Sequence, residues 1–189
     1  MATQTLHRPE TATTGTLWRI DPDHSTIGFA VKHMMFATVH GRFDDFAGTI
    51  RFDPDHIVRS SVEVTVQTAS IDTGVGARDT DLRSARFFDV ERFPAATFRS
   101  TSVGGNGRNL AIDGELTIKG VTRTVLLRAE LQGTGVNPSG VEVAGFEAKG
   151  TFNRKDFGLN WNQALESGGV LVGDEIKLTI DVQAGRNDS

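Results

Sequence analysis

Cysteine is absent from all 189 residues. That removes disulfides, thiolate metal sites and cysteine nucleophiles together. Tyrosine is absent too, and twelve Phe stand against two Trp. Such an aromatic set supplies apolar contact surface with little aromatic hydrogen bonding. No apolar run approaches the roughly 18–20 residues that span a bilayer as a helix. Charge of one sign is not concentrated: the formal net charge is −4, with no basic patch interleaved with aromatics. Nucleic acid is therefore not an expected partner. The start, "MATQTLHRPETATTGT", lacks the apolar core of a secretory signal and reads as a flexible leader over 1–16, matched by a tail over 184–189. The expectation is a cytoplasmic protein with one domain over 17–183, long enough to bury a core without staples.

What is present is strand signal. β-Branched and aromatic residues alternate with polar ones, punctuated by Gly, Asn, Asp and Pro. A first strand is predicted over about Leu17 to Met35, interrupted at Asp21-Pro22-Asp23, and a second over Val39 to Phe52. "SVEVTVQTASI" places Val62, Val64 and Val66 on one face. Only "GARDTDLRSARFFDVERFP" departs, with Leu82, Ala85 and Phe88 at near-helical spacing and Asp79 or Thr80 available as a cap. This predicts a short helical excursion over about 76–88. Eight strands with one such excursion suggest an all-β antiparallel barrel, since closure removes exposed edges.

An eight-stranded barrel is just wide enough to be filled by side chains or to hold one small ligand. Gly114 shares a face with Leu110, Ile112, Leu116 and Ile118; Gly48 shares one with Phe46, Ile50 and Phe52; Gly150 lies between Phe146 and Phe152. Small residues on a lined wall make room, or they mark bulges or let aromatic rings pack closely. Periodicity alone leaves both open.

"WRIDPDHSTIGFAVKH", "GRFDDFAGTI", "RSARFFDVERFPAATFRS", "DGELTIKGVTRTV" and "GTFNRKDFGL", in that order, resemble the YceI-like polyisoprenoid-binding family across about Leu17 to Val182. The resemblance implies an extended eight-stranded, lipocalin-like barrel with a helix on one side. It also implies a long apolar pocket for an isoprenoid or related amphiphile, and frequently a homodimer. The sequence departs from many relatives in having no export signal, and in Phe93 where a tyrosine is frequent.

The pocket candidates are in-phase apolar residues: Phe29, Val31, Phe46, Ile50 and Val64 from the first half, and Val66, Phe98, Leu116, Phe146 and Phe152 after them. His33 ends one such face and could close the pocket by hydrogen bonding. Arg154 could meet a phosphate or other headgroup, or sit in a solvated turn paired with Asp156. Trp161 could cap a mouth or anchor a long loop. His24 and His33 are nine residues apart and so point opposite ways on a strand. His33 and His40 would meet only across a tight turn at Phe36-Ala37, which lacks the Gly or Asn such turns prefer. No metal site is expected, and no cofactor. For catalysis a nucleophile needs a base and an orienter, and none is recognisable. The expected function is binding, storage or carriage of a long-chain amphiphile. The alternatives are a barrel enzyme acting on such a ligand, or a filled structural protein.

Overall fold

The computed structural model describes residues 15–186. The alternating stretches become strands, and the breaks between them follow local chemistry. β1 (Thr16–Ile20) and β2 (Thr26–His33) are two halves of one long strand, since both pair with the last strand, β11 (Val172–Arg186). Pro22 lacks an N–H and cannot extend the ladder. The chain instead makes one 3-10 turn over Pro22–His24, where the Asp21 carboxylate accepts from the Asp23 N–H at 3.0 Å. Asp21 N–H and Ser25 Oγ both donate to the Gln183 carbonyl, so β11 runs unbroken past the kink. β3 (Ala37–Phe43) and β4 (Phe46–Phe52) divide in the same way, β3 pairing with β2 and β4 with β1.

The remaining wall strands are β5 (Ser61–Gln67), β7 (Ala95–Asn106), β8 (Asn109–Ile118), β9 (Val121–Val136) and β10 (Glu142–Asn153); β6 (Ile71–Asp72) is a two-residue strand on β3. Pairing runs β1-β4-β5-β7-β8-β9-β10-β11 and returns to β1. With each divided strand counted once, this is a closed, antiparallel, eight-stranded barrel. β11 continues to Arg186, and Ala184 and Arg186 pair with β1, past the boundary that the sequence suggests at 183. Of the leader expected over 1–16, residues 1–14 lie outside the described residues, as do 187–189 of the tail; Thr16 already belongs to β1.

The helical excursion is shorter than its spacing suggests. α1 (Gly76–Arg83) ends at Ser84, and a series of turns carries the chain to Pro94. Consecutive Phe87 and Phe88 both face the barrel interior. A helix would set them about 100° apart. Asp79 is not a cap; it lies inside the first turn, buried, and accepts from the Thr73 N–H at 2.9 Å.

Two clusters pack the two ends of the barrel. One gathers Trp18, Ile20, Phe52, Phe146 and Ala184. The other gathers Phe87, Ile118, Phe157 and Leu159 under α1 and the loop over 158–171. Ile112 and Ile180 touch both clusters from the wall between them.

Candidate binding cavity

Inward-facing residues of a filled barrel are fully buried, and the clusters at both ends of this one are built around such residues. Along the middle they are not. Val64, Val66, Phe98, Leu116, Leu178 and Ile180 face inward on their strands yet are only half-buried. The surface they leave uncovered is the wall of an internal cavity of about 230 Å³. Its polar lining is sparse: Arg51, Ser60 and Ser61 near one end, Thr97 on β7, and Arg154 near the other end.

Of the residues singled out by sequence, Phe29, Ile50, Val64 and Val66 line one side of this cavity. Phe98, Leu116, Phe146 and Phe152 line the rest, with Arg154 at the end. Phe46 faces inward but is sealed in the cluster that holds Trp18 and Phe52. Val31 and His33 continue the Phe29 face beyond the cavity, opposite Val39 and Ala37 of the hairpin. Sequence reasoning passed over Ile176, Leu178 and Ile180 on β11, although their alternation is as regular as that of the chosen residues. Phe43, Phe87 and Phe88 also line the cavity. No period-two signal marks the last two, because they come from turns.

The glycines do not make room by leaving space. A Cβ at Gly114 would overlap the Phe98 ring and stand 2.8 Å from the Arg99 carbonyl. At Gly48 it would stand 2.7 Å from the Glu63 carbonyl, and at Gly150 2.6 Å from Leu127 Cδ2. Gly114 is the seat of the Phe98 ring, as the ring-packing reading has it, whereas Gly48 is filled by Ile20, Val64 and the Glu63 carbonyl, and Gly150 by Leu127 and the Leu126 carbonyl.

Arg154 is neither in a solvated turn nor a free headgroup ligand. Its side chain is 3% exposed, and each of its five N–H groups has an acceptor. Nε donates to the Gly173 carbonyl at 2.8 Å. Nη1 donates to the carbonyls of Leu159 and Trp161, and Nη2 to the Val172 carbonyl and the Asp174 carboxylate. Burial lowers its pKa, and Asp174 opposes the shift. Asp174, not Asp156, is its counter-charge. The guanidinium thus ties the 158–171 loop onto β11.

Trp161 does not reach the cavity. Its ring packs at a tilt behind Phe87, with centroids 5.3 Å apart, and the Arg86 guanidinium lies 4.2 Å above it. It anchors the loop and backs a residue that lines the wall. His24, His33 and His40 stay apart. His24 is exposed and sits 2.7 Å from Asp21, whose carboxyl it holds below the ordinary aspartate value. His33 pairs with Ala37, and His40 with Ala30, so these two lie on opposite faces of the hairpin.

A family model for the YceI-like domain matches residues 18–184. Protein YceI of Salmonella newport is 40% identical over 168 residues, which are 88% of this chain and 85% of that protein. The structure of BcnA from Burkholderia cenocepacia has the same fold, with a TM-score of 0.76 at 24% identity over 87% of this chain and 98% of that one. So does a polyisoprenoid binding domain from Saccharophagus degradans, at a TM-score of 0.66 and 13% identity over 92% of this chain and all of that one. The matched segment takes in all but the first and last two residues of the barrel, and the chain belongs to the YceI-like family.

Proposed function

We propose that the barrel binds and carries the chain of a single long-chain amphiphile, of the isoprenoid or polyprenyl class. The observation that carries this reading is the row of inward-facing but half-buried apolar residues around the 230 Å³ cavity. A wall of this kind gains roughly 0.8 kcal/mol for each methylene it removes from water and asks no specific polar contact of the chain. Burial is the mechanism, and it needs no chemical step. The isoprenoid class is supported by family membership and by the common fold with the Saccharophagus degradans domain.

Size sets the terms of binding. The cavity of about 230 Å³ sets how much of a chain lies inside. A longer chain is accommodated by turning the half-buried rings Phe43 and Phe88, or by leaving one end outside. Native mass spectrometry of protein incubated with a polyprenyl alcohol tests the reading. One retained ligand per chain is expected. Bare protein, under conditions where a known lipid carrier keeps its ligand, would refute it.

A further inference from the structure

Phe29 on β2 and Phe98 on β7 stand three places apart round the eight-strand ring, and both line the cavity. Each ring lies over a glycine of the next strand. Phe29 is paired directly with Gly41 on β3, and a Cβ at Gly41 would overlap the ring tip. Phe98 sits diagonally from Gly114 on β8, where a Cβ would overlap its ring in the same way. A ring whose tip occupies its neighbour's Cβ position lies along the wall and not across the bore. Neither glycine has a positive φ, so neither position calls for glycine's backbone freedom. What each requires is the absence of a Cβ.

We propose that Gly41 and Gly114 determine ligand specificity by seating Phe29 and Phe98 flat, which keeps the bore wide enough for a methyl-branched chain. This rests on the carrier reading above and adds the residues that set which chains are carried. A straight alkyl chain passes a narrower bore than the same chain bearing methyl branches. An added Cβ that lifts either ring off the wall therefore penalises the branched chain selectively.

Gly41→Ala is the cleaner variant. The nearest neighbours of its new Cβ are all side-chain atoms, the Phe29 ring and Thr73 Cγ2 at 2.9 Å, whereas Gly114 also faces the Arg99 carbonyl. The probes are hexahydrofarnesol and lauryl alcohol, which share one main chain and differ in methyl branches. Both are measured by displacement of a fluorescent fatty-acid probe. In Gly41→Ala the dissociation constant of the branched alcohol should rise about tenfold or more relative to that of the straight one, the size of effect a single methylene has in a tight apolar pocket. Gly41→Ala with Phe29→Leu should return the ratio toward the parent's. Phe98→Leu, which removes a ring without touching a glycine, should shift the ratio toward the branched alcohol, and it decides the matter if Gly41→Ala does not fold. An unchanged ratio in folded Gly41→Ala, or equal loss of both alcohols, overturns the proposal. A parent protein that binds neither alcohol instead removes the carrier reading, and this inference with it.

Discussion

A buried guanidinium is costly unless every donor is met, and Arg154 shows how the cost is offset. Its planar fork reaches four carbonyls and a carboxylate from residues 159–174. Lysine, a point charge with three donors, cannot reproduce that pattern. Arg154→Met should lower unfolding stability by about 3 kcal/mol or more, since several buried acceptors lose a charged donor at once. Arg154→Lys should recover little of the loss in urea denaturation. A lysine variant as stable as the parent would show that the fork is not what holds the loop. Because the group is saturated, its loss should weaken phosphorylated and neutral ligands alike. The inward direction of Arg154 was legible in the sequence, for it follows Phe152 by two residues on one face. Its partners were not, because two of them, the Leu159 and Trp161 carbonyls, come from a loop whose course no local pattern fixes.

At the scale of elements, period-two alternation located the barrel strands, and Asp21-Pro22 marked the break between β1 and β2. The segment over 84–94 resisted the same reading. Leu82, Ala85 and Phe88 have helical spacing, yet two adjacent phenylalanines must both reach the interior, and tertiary packing overrides the local period there. The β2–β3 hairpin is a second case. Its turn holds Met34 at φ 51° and Met35 at φ 70°. Hairpin turns need such angles to match strand twist and favour Asn or Gly for them. Methionine there is strained, and the registers of β2 with β3 and β11 fix the turn regardless. Met35→Gly should therefore stabilise the protein by about 1 kcal/mol, read as a raised midpoint in thermal or urea unfolding. A drop in stability would mean that Met35 contacts outweigh the backbone relief. Met35 is 59% exposed, which limits how much contact there is to lose.

For the whole molecule, the sequence established that one face of nearly every strand is apolar. A filled and a hollow barrel share that pattern. What separates them is whether side chains from opposite walls meet, and this depends on barrel width and on rings lying flat against glycine, neither of which alternation encodes. Here the two ends meet and the middle does not. The central claim is that a ligand chain lies in that middle. Methyl-resolved NMR of the protein with a bound polyprenyl alcohol tests it most directly. Nuclear Overhauser contacts from the alkyl protons should appear at Val64, Ile112, Leu178 and Ile180, whose side chains face inward, and not at outward Leu126 or Val58. Contacts confined to Val58, Leu126 or the Met35 methyl, with the inward methyls unperturbed, would place the ligand on the outer surface and contradict the carrier reading.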